Sequence, residues 1–122
     1  MPITNPYNHG LVGDDRLALV LSAYSDYPAD NVLIVDMGTC ITYDIKTNQN
    51  LYQAGGISPG LELRLKSLSS GTFKLDKITP KYPKLLIAHD TESSISIGVL
   101  KGIQNEIEGF IENYKTETSY QY

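Results

Sequence analysis

The hydrophobic pattern switches between a helical and a strand-like period along the chain. Leu17, Val20, Leu21 and Tyr24 recur at spacings of three and four, which puts them on one side of a helix opening at Asp14. That helix is expected to end near Tyr24, before the Tyr27-Pro28 turn. Asn31 to Asp36 is a short apolar run, Val-Leu-Ile-Val closed by an aspartate, and reads as a buried strand. Met37-Gly38-Thr39 predicts a tight turn. Cys40 to Ile45 carries strand-forming side chains, Thr47 to Asn50 reads as a turn, and Leu51 to Ala54 as a further strand. Three such runs in succession predict an antiparallel meander.

Gly55-Gly56-Ile57-Ser58-Pro59-Gly60 reads as a flexible connector that opens a helix, with Ser58 as N-cap and Pro59 at the first helical position. Leu61, Leu65 and Leu68 share one face of that helix, and Ser69-Ser70-Gly71 stops it. Thr72 to Lys84, with Pro80 and Pro83, reads as loop, and Leu85 to Ala88 as a short strand. Asp90-Thr91 then caps the longest helix, in which Ile95, Val99, Ile103, Ile107, Phe110, Ile111 and Tyr114 keep the 3.6-residue period. Residues 1–12 read as an extended loop and residues 115–122 as a frayed end. The expected architecture is one α/β or α+β domain over residues 1–122, without internal repeats.

Composition narrows the function. The 122 residues include 14 acidic and 10 basic side chains, a net charge of -4, with no Lys/Arg cluster, so a nucleic-acid partner is not expected. No apolar run is long enough to span a bilayer, so no membrane partner is expected either. A single cysteine, Cys40, fits a cytoplasmic protein without a disulfide framework. His9 and His89 show no metal-ligand spacing.

Four short motifs could carry chemistry. Gly13-Asp14-Asp15-Arg16 puts two carboxylates and a guanidinium where a glycine loop enters a helix. A carboxylate there can take a proton from a substrate hydroxyl, and the arginine can fork onto a carboxylate. The plainer reading is an acidic helix start. Asp36-Met37-Gly38-Thr39 can present backbone amides and an aspartate to a phosphate or cation, or can be an ordinary hairpin turn. Gly55 to Gly60 allows close backbone approach to a ligand, or merely a sharp connection; it is neither a P-loop nor a dinucleotide fingerprint. Asp90-Thr91 could meet an anion with free N–H groups, or simply cap its helix.

Taken in order, Gly-x-Asp-Arg, Asp-x-Gly-Thr, Gly-Gly-x-x-Pro-Gly and Asp-Thr before a long helix resemble the type III pantothenate kinases. The resemblance runs from about Tyr7 to about Phe110. It implies a ribonuclease H-like α/β fold of the actin, sugar-kinase and Hsp70 ATPase superfamily. It also implies ATP-dependent phosphorylation of pantothenate to 4'-phosphopantothenate, the first step of coenzyme A biosynthesis. Asp15 then matches the catalytic base. Gly13, Arg16 and Thr91 match pantothenate contacts. So does Tyr7, although its spacing to Gly13 is one residue shorter than in the family. Asp36 matches the ligand of a monovalent cation, potassium or ammonium, and Gly38 and Thr39 match the ATP phosphate side. Magnesium would arrive with ATP, and a homodimer is implied.

The family's N-terminal phosphate-binding loop and its C-terminal glycine-rich segment have no counterpart here. The expectation is therefore the substrate- and cation-binding portion of a two-domain kinase, inactive by itself. The alternatives are a non-catalytic regulatory or accessory relative and another small-molecule kinase of the superfamily.

Overall fold

The computed structural model describes residues 14–71 and 79–118; Tyr7, His9, Gly13 and most of the expected loop from Thr72 lie outside them. Helix α1 (Asp14–Asp26) is followed by strands β1 (Val32–Met37), β2 (Cys40–Lys46) and β3 (Tyr52–Pro59). Helix α2 (Leu61–Gly71) comes next, then α3 (Thr91–Ser96), a π-helical stretch over Ile97–Lys101, and α4 (Gly102–Thr118). The strands form an antiparallel sheet in the order β1-β2-β3, so the meander expectation holds.

Side chains alternate across the sheet, and each face finds its own helices. Ile34, Tyr52 and Ala54 pack with Val20, Leu17, Leu21 and Tyr24 of α1. Val35, Ile41 and Tyr43 pack on the other side with Leu61, Leu65 and Leu68 of α2 and with Ile95, Val99, Ile103 and Phe110 of the C-terminal helices. The leucine stripe of α2 and the long apolar stripe after Asp90 thus both reach the core that their periodicity implied. Hiding a side chain such as Val20, 1% exposed, contributes about 2 kcal/mol. The β2–β3 turn depends on Asn50, whose φ of 61° is left-handed and suits a short polar side chain. The Asn50 amide donates to Thr47 O at 3.0 Å, and Thr47 Oγ1 accepts from Leu51 N at 3.0 Å.

Three expectations are corrected. Residues Gly55 to Pro59 are not a connector: β3 runs through them to Pro59. The register slips between Thr42/Ile57 and Asp44/Ala54, so the two glycines form a bulge opposite Tyr43. A Cβ on Gly55 would stand 2.5 Å from Tyr114 Oη and 2.6 Å from Tyr43 O. The glycine is there because the ring of a distant helix closes on it. Ser58 consequently lies in the ladder opposite Ile41 and is no N-cap, and Pro59 ends a strand instead of opening a helix.

Leu85 to Ala88 is not a strand. Leu85, Leu86 and Ile87 are 76%, 60% and 82% exposed, the first two in a bend and the third in irregular chain. An apolar run of that length forms a strand only beside an edge with free backbone groups. The third correction concerns the long helix, whose 3.6-residue period is broken by the π-helical stretch at Ile97–Lys101. Its start is as expected. Asp90 Oδ1 accepts from Ser93 N at 2.6 Å and Ser93 Oγ answers from the Asp90 N–H at 3.2 Å, a reciprocal cap.

Candidate functional site

The α1 side of the sheet carries the first motif. Arg16 lies in the first turn of α1 and is 9% exposed. Its Nε donates to both oxygens of Asp44 at 3.0 Å, and Nη2 donates to Asp44 Oδ1 at 2.7 Å and Tyr43 O at 3.1 Å. Tyr52 Oη donates to the same Asp44 oxygen at 2.6 Å. Asp44 is wholly buried. The fork expected to meet a substrate carboxylate thus grips an internal one. Removing two charges from water is costly and is offset only by such saturated bonding. The result is a first helical turn locked to the sheet, with the neighbouring Asp15 exposed. At the far end of α1, the buried Lys46 Nζ donates to Tyr27 O, so the sheet clamps both ends of the helix.

Asp36, next to last in β1, lies on the same face, since it shares parity with Ile34 and pairs with Thr42. Asp36 is exposed. Thr42 Oγ1 beside it is buried and has no hydrogen-bond partner among the described residues. A carboxylate next to an unmet hydroxyl oxygen fits a hard monovalent cation, which takes oxygen ligands. The described residues hold no cluster of three His, Cys, Asp or Glu side chains of the kind that cages a transition metal.

The second and third motifs are one structure. Gly60 N donates to Thr39 O at 2.9 Å. A Cβ on Gly60 would lie 2.2 Å from Gly38 O and 2.6 Å from Thr39 O. The Asp36–Thr39 turn is therefore built directly against the start of α2, and only glycine allows that approach.

A second polar cluster went unseen in the sequence. Glu106 of α4 accepts from Tyr43 Oη at 2.7 Å and Ser58 Oγ at 2.6 Å with one oxygen, and from Arg64 Nη2 at 2.5 Å with the other. Burial pushes the Glu106 carboxyl up, but these three donors outweigh it and hold the group below its ordinary range. Burial and the bond to Glu106 push the Tyr43 hydroxyl well above its ordinary range, so it stays a neutral donor. The available signal was position: Glu106 stands three residues after Ile103 and four before Phe110, inside the apolar stripe.

Thr91 is exposed at the first residue of α3. It lines an open groove of about 780 Å³ with Arg64, Leu68, Asp90, Ser94 and Ile95. Arg64 thus borders both this groove and the Glu106 cluster. Asp15 and Arg16 belong to the opposite face of the sheet, and no hydrogen bond among the described residues joins them to Thr91.

Comparison with known proteins adds an independent line. The sequence profile of the family described as type III pantothenate kinase matches residues 1–113. A type III pantothenate kinase of Christiangramia forsetii is 48% identical over 118 residues, covering 96% of this chain and 49% of that one. The enzyme of the same description from Flavobacterium psychrophilum is 41% identical over 112 residues, covering 91% and 46%. A Campylobacter jejuni structure described as a conserved Baf family transcriptional activator superposes with a TM-score of 0.60 at 28% identity, covering 88% of this chain and 49% of that one. The chain spans about half the length of the curated relatives it matches. It belongs to the type III pantothenate kinase family.

Proposed function

We propose that this chain is the substrate- and cation-binding portion of a two-domain kinase that phosphorylates pantothenate at the expense of ATP. The product is 4'-phosphopantothenate, the first intermediate of coenzyme A synthesis. The observation that carries the reading is the family match across residues 1–113. The helix-covered antiparallel sheet is consistent with a ribonuclease H-like domain of the actin, sugar-kinase and Hsp70 superfamily.

Phosphoryl transfer asks a protein mainly for positioning and charge neutralisation. Asp15 serves as the base: its exposed carboxylate takes the proton of the pantothenate hydroxyl as that oxygen bonds to the terminal phosphorus of ATP and the bond to ADP breaks. The Arg16–Asp44 lock supports this role by holding the helical turn that aims Asp15. Gly13 and Tyr7 hold pantothenate beside Asp15, while Arg16, spent on Asp44, backs that site without touching the substrate, and Thr91 offers a contact from the groove on the other face of the sheet. Gly38 and Thr39 face the ATP phosphates. Asp36, with the unmet Thr42 oxygen beside it, holds potassium or ammonium. The cation, with magnesium carried by ATP, would neutralise charge on the phosphates. A cytoplasmic homodimer is the working assembly in this reading. No helix among the described residues is long and apolar enough to cross a membrane.

The test is ADP release by the complete gene product with potassium or sodium, with and without pantothenate. Release that needs pantothenate and rises with potassium supports the reading; a folded, complete protein with no pantothenate dependence overturns it. A second reading, a non-catalytic regulatory relative, is favoured by the likeness to the Campylobacter protein. The net charge of -4 without a basic cluster weighs against a nucleic-acid target. Specific DNA retention without ADP release would select it.

A further inference from the structure

We propose that Glu106 is a positioning residue for the Asp36–Thr39 turn, acting through Ser58 and Arg64 on the β3–α2 junction against which that turn is built. The proposal rests on the kinase reading of that turn as the nucleotide and cation side.

The path is continuous. Glu106 Oε2 accepts from Ser58 Oγ at 2.6 Å, and Ser58 lies in the ladder opposite Ile41. Glu106 Oε1 accepts from Arg64 Nη2 at 2.5 Å, while Arg64 Nε donates to Pro59 O at 2.7 Å. Pro59 pairs with Cys40, the residue that closes the turn by accepting from Gly38 N at 3.0 Å. Gly60 follows, with its amide on Thr39 O at 2.9 Å and no space for a Cβ. From the carboxylate, every link to the turn is a hydrogen bond or a backbone contact.

Helix α4 does not need a carboxylate at this position merely to pack. Ile103, Ile107 and Phe110 surround it on the same stripe, and an apolar residue there would avoid the cost of taking charge out of water. What a carboxylate adds is direction. It collects donors from β2, β3 and α2 at one point, and two of the three come from the junction behind the turn. The helix that carries Glu106 also continues back, through the π-helical stretch, to Thr91.

The test uses the complete gene product and compares Glu106→Gln, Ser58→Ala and the control Glu112→Gln, whose side chain is 75% exposed on the same helix. Binding of a non-hydrolysable ATP analogue is measured by calorimetry, the potassium concentration for half-activation by turnover, and KM for pantothenate alongside. For Glu106→Gln, nucleotide binding weakens and the potassium requirement rises, each by about tenfold, the size expected for losing one charge-assisted hydrogen bond. KM for pantothenate stays within about twofold, and Glu112→Gln matches the wild type. Ser58→Ala removes only one donor and shows the same pattern at smaller amplitude.

A melting temperature that drops while nucleotide and potassium responses stay at wild-type values overturns the proposal, because Glu106 would then only hold the fold. If Glu106→Gln does not fold, unchanged responses in Ser58→Ala overturn it equally. A wild type inactive on pantothenate, whose nucleotide binding still falls in Glu106→Gln, ends the kinase reading and leaves the positioning role standing. A wild type that binds no nucleotide ends both.

Discussion

The two faces of the sheet solve the same problem, attaching helices to a meander, in opposite ways. The α1 face uses a buried pair: Asp44 has no exposure and spends its bonds on Arg16 and Tyr52. The α4 face gathers its polar groups at the edge of a large apolar core, where Glu106 keeps 19% side-chain exposure. There Tyr43 and Phe110 pack at 4.8 Å between ring centroids, with Tyr114 beyond at 6.2 Å from Tyr43. A buried pair is nearly all-or-none, since losing one partner strands the other in a dry site. A partly exposed cluster fails gradually, because water can replace a missing donor. The first arrangement suits an anchor and the second suits adjustment of a neighbouring turn.

That contrast can be broken most severely at Asp44. Asp44→Ala leaves the Arg16 guanidinium buried without its carboxylate, and chemical denaturation should show a loss of about 3–5 kcal/mol. Replacing both partners by apolar residues of similar volume should cost much less than either single change. Gly60→Ala comes next. Its new methyl group meets backbone on the Asp36–Thr39 turn, so a stability loss of about 1–3 kcal/mol is expected, together with a weaker potassium response. A wild-type potassium response in Gly60→Ala would separate the turn from the cation.

The smallest effect is on pH dependence, and it belongs to the α4 face. Glu106 is held below its ordinary 4.5, so its contribution is present above that value and fades as pH falls through the lowered one. Tyr43 is raised above its ordinary 10.0, mainly by burial, so its contribution is complete below that value and fades as pH climbs through the raised one. Thermal melts across the acid range should show Glu106→Gln with a flatter acid arm than the wild type. An unchanged acid arm would mean that Glu106 carries no charge-dependent part of the stability.

Local signals were legible in the sequence and long-range ones were not. The faces of α1, the meander and the Asp90 cap follow from the identities of neighbouring residues. Gly55 and Gly56 look like loop residues, yet they lie in a strand, and Tyr114, far along the chain, closes on Gly55 so tightly that no Cβ fits there. Leu85 to Ile87 has strand composition but pairs with neither edge of the β1-β2-β3 sheet. For the candidate site, the motifs around Asp15, Asp36 and Thr91 could be singled out by residue type. The internal use of Arg16 could not, because its partner is 28 residues away and looks like an ordinary strand aspartate. Glu106 was hidden for the same reason, with partners 42 to 63 residues distant.

The measurement that bears most directly on the kinase reading is pantothenate-dependent ADP release by the complete gene product beside its Asp15→Asn variant. Asp15 is exposed, so the variant should fold and melt like the wild type. Its turnover should fall by roughly 10²–10⁴, the usual contribution of a positioned base. A variant that folds normally and turns over pantothenate at the wild-type rate would contradict the assignment of Asp15 as the base.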